Sequence, residues 1–343
     1  MKTLVDTLRT HHHLDGDGYA ALLTCSDGEA DYLRSQAREV AQRVFGHGIF
    51  VRGLVELTNV CRNDCLYCGI RRSNTAVTRY TLTHDQVMAS CEQGYQLGFR
   101  TFVLQGGELP RGRAQWVADI VDGIHSAWPD CAITLSLGEW PREVYALWKQ
   151  AGADRYLLRH ETHNAAHYAQ LHPADMSQAN RLQCLDDLMS LGFQTGTGIM
   201  VDSPGQTIAH LVEDIQFIEH LHPHMIGLGP FVPQHDTPFG HHPQGSTDLT
   251  TRLYAIFRLM FPNALIPSTT ALNTIHPQGR LLGIQAGANV VMPNLSPSDV
   301  RANYALYDGK AVTAAEAAEG INELQTQLAS IGYHIDWTRG DYR

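Results

Sequence analysis

Apolar residues along this chain fall into short runs of strand character, each followed by a longer stretch of helical period. "RGLVELT" (52–58) reads as a strand, and "THDQVMASCEQGYQLG" (83–98) as a helix with Thr83 at its N-cap and Gly98 at its end. "RTFVLQ" (100–105) is a second strand, followed by a helix near 114–128. "AITLSLG" (132–138) is the third, and the helix after it starts at Pro141. "DRYLLRHE" (154–161), "FQTGTGIMV" (193–201) and "HMIGLGPFV" (224–232) continue the series, with helices near 177–191, 206–221 and 248–261. "ALIPSTTAL" (264–272), a short helix near 277–286 and "ANVVMP" (288–293) complete eight strands.

Eight strand–helix units in one unbroken run predict an α/β fold, a complete (β/α)8 TIM-type barrel. A doubly wound open sheet is the alternative, but it would place a glycine-rich dinucleotide fingerprint after strand one. The first fifty residues, "DYLRSQAREVAQRVFG" (31–46) above all, predict a helical cap. The organisation expected is therefore a cap over 1–50, a barrel over 51–312, and a C-terminal helix and tail over 313–343, with the helix at 313–331.

In such a barrel the loops after the strands form the mouth, where active sites sit. Alternation sorts the strand residues by face. Leu157, Arg159 and Glu161 share one face of strand four, Thr134 and Ser136 one face of strand three, Thr195 and Thr197 of strand five, and Ser268 and Thr270 of strand seven. If these faces point inward, the upper interior is polar, as a ligand chamber requires; a charged pair against the helix layer would be costly.

The 343 residues are 43% hydrophobic, ample for a large core. The formal net charge of −10 argues against a broad phosphate-binding surface and hence against nucleic acid, while leaving room for a local basic pocket. No apolar run approaches membrane-span length, and "MKTLVDTLRTHHHLDGDG" lacks the apolar core of a signal peptide, so a cytoplasmic protein with no membrane partner is expected. Cys25, Cys91, Cys131 and Cys184 are scattered among apolar residues and read as buried small hydrophobes.

The other three of the seven cysteines are crowded into "ELTNVCRNDCLYCGIRRSN" (56–74), directly after strand one. Cys61, Cys65 and Cys68 have the spacing C-x-x-x-C-x-x-C. Thiolates so placed bind soft metals. Structural zinc and ferredoxin-type clusters usually take four protein ligands, and no fourth cysteine lies close by. Three ligands leave one iron of a 4Fe–4S cubane open for chemistry.

This loop resembles that of the radical S-adenosylmethionine (radical SAM) enzymes, C-x-x-x-C-x-aromatic-C, with Tyr67 as the aromatic residue. The resemblance implies that SAM chelates the open iron and that an electron from the reduced cluster yields methionine and a 5′-deoxyadenosyl radical. "LQGGE" (104–108) is similar to the superfamily's GGE motif, so Gly106, Gly107 and Glu108 would meet the SAM amino group. Glu161 and Arg181 resemble the partners of the methionine moiety, Ser136 joins the SAM site, and Met200 would lie by the adenine.

Longer stretches resemble the HydE family of FeFe-hydrogenase maturases. They include "NVCRNDCLYCGIRRSN" (59–74), "TLSLGEWPREVYALWKQAGADRYLLRHET" (134–162), "GLGPFVPQHDTPF" (227–239), "IPSTTALNTIHPQGR" (266–280) and "GANVVMPNLSPSDVRANYALYDGK" (287–310). That resemblance implies action on a small iron–cysteine species carrying CO and cyanide during assembly of the diiron site. Arg159, Thr134, Ser136, Thr269, Thr270, Tyr304 and Tyr307 would line the substrate chamber. A ferredoxin or flavodoxin would supply electrons, and other maturases would be transient partners. Two positions depart from the family: no cysteine follows Cys184, so one cluster rather than two is expected, and Gly106 stands where some members carry a hydroxyl residue.

The alternatives are a biotin-synthase-like or methylornithine-synthase-like radical enzyme on an organic substrate, and a non-catalytic iron–sulfur carrier. "HHH" (11–13), "HLHPH" (220–224) and "QHDTPFGHH" (234–242) read as surface histidines.

Overall fold

The strand–helix units close into a ring in the computed structural model, which describes residues 1–310 and 318–343. Three helices come first: α1 (Lys2–His11), α2 (Gly16–Thr24) and α3 (Asp27–Phe45). β1 (Gly48–Val51) runs on into β2 (Gly53–Thr58) as the first barrel strand. Then come α4 (His84–Gln96) and β3 (Thr101–Gly106), α5 (Ala114–Ala127) and β4 (Ala132–Ser136), and α6 (Arg142–Gln150) and β5 (Arg155–Leu157). Helices α7 (Ala165–Leu171) and α8 (Gln178–Ser190) lead to β6 (Gln194–Thr197) and β7 (Met200–Val201). Helix α9 (Ile208–Leu221) leads to β8 (Met225–Ile226) and β9 (Gly229–Pro230). Helices α10 (Thr247–Met260), α11 (Thr270–Ile275) and α12 (Gly279–Gln285) precede β10 (Val290–Val291). The chain ends with α13 (Ser298–Arg301), α14 (Ile321–Ser330) and β11 (His334–Asp336).

Strands β2, β3, β4, β5, β6 and β8 pair side by side, all parallel. Single bridges complete the circle: Met225 to Leu265, Pro267 to Val290, and Asn294 to Leu54, with β10 paired to β1. Pro267 has no N–H to give a ladder, so the seventh strand makes only bridges. It ends where α11 begins at Thr270, earlier than the 264–272 span expected. The expected strands at 193–201 and 224–232 are each broken in two, β6 from β7 and β8 from β9. A Cβ on Gly198 would lie 1.7 Å from the Gly227 carbonyl oxygen, so the two strands touch backbone to backbone at these breaks.

Local signals place the helix ends. Thr83 Oγ1 accepts from Gln86 N at 3.2 Å in a capping box, and Gly98, with φ +103°, turns the chain after α4. Ser177 accepts from Asn180 N at the start of α8, and Thr207 forms a capping box with His210 at the start of α9. The three N-terminal helices form a layer on the barrel. They lie on its flank, against α9, α10 and α12. This second layer explains why every residue of α10 from Thr250 to Met260 is buried, including Arg258, whose guanidinium donates to Gly287 O, Pro262 O and Asn289 Oδ1.

Of the helix expected at 313–331, residues 313–317 lie outside the described residues; a short turn at Ala318–Gly320 leads into α14. Strand β11, unforeseen, pairs parallel with β1 from Gly48–His334 onward. The tail beyond it closes the barrel floor. Fully buried Arg155 reaches Asp341 at 2.6 Å, Arg339 O at 2.9 Å and Thr101 Oγ1 at 3.2 Å. No helix among the described residues is long and apolar enough to cross a membrane.

Candidate active site at the barrel mouth

The cysteine loop leaves β2 at Thr58 and crosses the mouth. It is held largely by backbone carbonyls. Arg79 donates to the carbonyls of Asn59, Ile70, Arg71 and Asn74 at 2.6–2.9 Å. Asp64 accepts from Arg71 Nε, Ser73 N and Ser73 Oγ at 2.8–3.0 Å, and Arg71 beside it holds its carboxyl far below the usual range. Gly69 must be glycine, since a Cβ there would sit 2.0 Å from Ala305 O. Cys61, Cys65 and Cys68 are half-buried free thiols along this loop. Burial pushes all three up, Cys68 to about 12.

Glu108 ties this loop to the next two. Its carboxylate accepts from Asn63 Nδ2 at 3.0 Å and from Glu139 N at 2.9 Å, and it pairs with Arg62. Its own N–H points at Cys61 Sγ, 3.3 Å away. The side chain expected to meet SAM together with the Gly106–Glu108 backbone thus also fastens the loop. A Cβ on Gly107 would lie 2.3 Å from Val60 O, so glycine lets the two loops meet. A Cβ on Gly106 would lie 3.2 Å from Thr58 Cγ2.

Four charged side chains form the centre. Arg159 gives Nε and Nη2 to Glu161 Oε2 at 3.1 and 2.6 Å. Arg181 gives Nε to Glu139 Oε1 at 2.6 Å and Nη1 to Arg159 O at 2.8 Å. Arg181 is 7% exposed although it lies in the first turn of α8, so it is no solvated surface charge. Glu139 was missed in the sequence, although it lies inside "LSLGEWPRE"; on a loop it carries no periodicity, and its partner is 42 residues away. Glu161 has φ +67°, a costly conformation for a non-glycine residue, held by its backbone bonds to Gly198 and Met200. The kink puts its carboxylate near enough to Cys65 and Cys68 to raise both thiols.

Alternation on the fourth strand is visible in His160. It faces the helix layer, bonded to Thr197 Oγ1 at 2.9 Å and to Asp214 at 3.3 Å, while Arg159 and Glu161 face the interior. Thr197 therefore points outward, and so does Thr195, whose hydroxyl donates to Phe193 O. Gly196 between them faces in, against Leu157 and Met225, because the narrow interior there has room for nothing larger. Ser268 also points outward, its hydroxyl donating to Arg280 O of α12 at 2.9 Å. These three inward expectations are corrected.

The upper interior is polar all the same. Thr134 is buried with no partner for its Oγ1, and Ser136 follows it on the same face. Thr269 meets the Tyr254 hydroxyl through its N–H at 3.3 Å; Thr270 starts α11. Buried Tyr304 takes a hydrogen bond from Gln105 Nε2 at 3.2 Å, and half-buried Tyr307 follows on the same loop. Fully buried Glu56 pairs with Lys310 and accepts from Asn294 Nδ2 at 3.0 Å. Glu56 and Lys310 were also missed, although the alternation of "RGLVELT" puts Glu56 on the face of Arg52 and Leu54.

Beside the charges lies an apolar shelf of Tyr67, Met200, Leu171, Phe231 and Phe239. The Tyr67 hydroxyl donates to His172 Nε2 at 3.3 Å, and His172 Nδ1 donates to Tyr168 O at 2.9 Å, so His172 is neutral in this arrangement. Burial, then Arg181, pushes its pKa from 6.5 down to about 4. The folded chain therefore binds fewer protons than the unfolded one between these values, and stability falls as pH drops through that window, by about 3 kcal/mol in full. His172→Leu is expected to remove this component. Urea unfolding of both proteins from about pH 7 to about pH 4.5 checks it; parallel losses in the two would refute it.

Among the described residues no set of three His, Cys, Asp or Glu converges on a single metal ion. A 4Fe–4S cubane does not ask for that, because each thiolate takes a different iron. Three half-buried thiols on one loop, a carboxylate facing them and no fourth cysteine fit such a cluster with one open iron.

Comparisons agree on the class. The family profile of the Radical SAM superfamily matches residues 55–218. The chain is therefore an enzyme of the radical SAM kind, using a 4Fe–4S cluster and SAM. Over 283 residues it is 46% identical to the FeFe hydrogenase maturase subunit HydE of Thermotoga maritima, with 82% of this chain and 80% of that protein covered. It belongs to the HydE family. It is also 26% identical to the 3-methylornithine synthase of Methanosarcina acetivorans, covering 85% of this chain and 83% of that one. The crystal structure of methylornithine synthase (PylB) superposes with a TM-score of 0.86 at 24% identity, covering 97% of each chain, which shows the shared fold.

Proposed function

We propose that this enzyme acts in assembly of the diiron site of FeFe-hydrogenase, on a small iron–cysteine species bearing CO and cyanide. The observation that carries this reading is the placement of Arg159. It lies on the inward face of the fourth barrel strand, the face opposite His160, and gives Nε and Nη2 to Glu161 while Nη1 makes no hydrogen bond among the described residues. Thr134 offers an unpartnered buried hydroxyl, and Thr269, Thr270, Tyr304 and Tyr307 complete the polar wall. An anionic cyanide complex suits one guanidinium and a ring of hydroxyl donors.

Cys61, Cys65 and Cys68 would hold the cluster. When bound and reduced, that cluster supplies the electron that splits SAM into methionine and a 5′-deoxyadenosyl radical. The remaining work belongs to side chains. Glu161 would take the SAM ammonium, assisted by backbone of the Gly106–Glu108 turn, and Arg181 Nη2 the carboxylate. Met200 and Tyr67 would offer the adenine an apolar surface, and Ser136 would join the SAM site from the end of β4. Glu139 fixes Arg181, and the buried shelf keeps water from the methionine end.

Arg181→Ala is expected to weaken SAM binding by about 1.5–3 kcal/mol, a charged hydrogen bond's worth, with iron loading unchanged. Equal SAM affinity in variant and parent would restrict Arg181 to bracing Glu139. The function itself is tested by in vitro maturation of an apo-hydrogenase. Restored hydrogen evolution only when this enzyme, SAM and reductant are present supports it. A reaction that instead yields 3-methylornithine would transfer the protein to the branch that its 26% relative occupies.

A further inference from the structure

Thr162 N donates to His160 O at 2.9 Å, closing a three-residue turn centred on Glu161, whose φ is +67°. Such a turn is rare and strained for a residue with a side chain, and it persists only where the surroundings over-determine it. Here both flanks are gripped from the helix layer. Asp214 Oδ1, on α9, accepts from His160 Nε2 at 3.3 Å and from the His163 backbone N–H. A carboxylate only accepts, so His160 Nε2 carries the proton and, in the neutral ring, Nδ1 takes the Thr197 hydroxyl at 2.9 Å. From α8, Gln178 Nε2 donates to Thr162 O at 3.1 Å and to His163 O at 2.6 Å. The His160 and His163 rings both lie against Phe217, at 4.7 and 4.5 Å. Packing alone does not explain Asp214. The other buried residues of α9 are Leu211, Ile215 and Ile218, and Asp214 sits among them fully buried, with its Oδ2 unpartnered among the described residues. A charge so placed is costly, and both groups that it does bind belong to the flanks of the Glu161 turn.

We propose that Asp214, with Gln178, is a positioning residue for SAM: it fixes the Glu161 turn from behind, so that the carboxylate already stands where the SAM ammonium arrives. The inference rests on the reading of Glu161 as the ammonium partner and adds what holds that partner in place. Neither residue touches SAM in this arrangement. Their effect is preorganisation: the turn is ordered when the chain folds, and binding does not have to order it. Without the grip on residues 160 and 163 the turn relaxes toward ordinary φ values, and the Glu161 carboxylate swings away from the methionine end.

The test compares two ligands on the cluster-loaded protein, SAM and an analogue lacking the α-amino group, and measures hydrogen exchange over residues 159–164 without either. In Asp214→Ala, SAM affinity is expected to fall at least about tenfold while affinity for the analogue changes less than about threefold, because only the ammonium meets Glu161. Exchange over 159–164 is expected to quicken at least about tenfold. Asp214→Asn keeps an acceptor oxygen behind the turn and is expected to bind SAM within about threefold of the parent. Gln178 is half-buried, so Gln178→Ala folds readily; it is expected to lose about threefold for SAM and nothing for the analogue, and it decides the matter should Asp214→Ala fail to fold. Unchanged exchange over 159–164, or equal losses for SAM and the analogue, overturns the proposal. A parent that binds both ligands equally well counts against Glu161 as the ammonium partner, and the exchange measurement still decides whether Asp214 and Gln178 hold the turn.

Discussion

Replacing Cys61, Cys65 or Cys68 by alanine, one at a time, abolishes both the iron–sulfur chromophore and SAM cleavage. The reason is coordination: each thiolate serves a different iron, and no spare cysteine lies near. Cys184→Ala is the control, because its thiol is buried against Trp140 O at 3.7 Å, behind the helix layer. It retains cluster and cleavage. Reconstituted parent holds about four irons per chain, the content of a single cubane. Iron analysis and the visible spectrum of each variant decide this. A single-cysteine variant that keeps full iron and activity, or a parent with about six or more tightly bound irons, would refute one cluster on this loop.

Arg159→Leu separates the two halves of the site. The variant keeps the cluster and SAM binding, because Glu161, relieved of its two bonds from Arg159, stays available to the SAM ammonium and Arg181 and Glu139 form their own pair, but hydrogenase maturation falls at least about a hundredfold, in line with about 3 kcal/mol for a buried charged contact. SAM cleavage without substrate persists. Running maturation and cleavage assays on the same preparation makes the comparison. Normal maturation would move the substrate away from the fourth barrel strand, β5, and the residues that follow it. Loss of the cluster as well would make Arg159 a bracing residue for the loop.

The barrel was legible because its signals are local and repeated. Thr83 and Gly98 bracket α4 as their chemistry requires, and eight runs of strand character recur in order. The cysteine spacing is local too. Faces were harder. Strand alternation yields two sets of residues and does not say which is inside; polarity settled it for Arg159 and Glu161 but misled for Thr195 and Thr197, where interior space demanded Gly196. Ser268 failed for a similar reason, its hydroxyl satisfied by a helix carbonyl. Pairings across the fold left no trace in sequence: Arg181 with Glu139, Glu56 with Lys310, and Arg155 with Asp341 join residues 42, 254 and 186 positions apart. Strand β11 spans three residues, too few for a pattern to emerge.

The most direct measurement is the product analysis of SAM incubated anaerobically with the reconstituted protein and dithionite. The expected result is 5′-deoxyadenosine and methionine in equal amounts, absent when Cys65→Ala replaces the parent. Intact SAM after incubation with a protein that holds its full complement of iron would contradict it, and would make this chain a carrier of iron and sulfur rather than a radical enzyme.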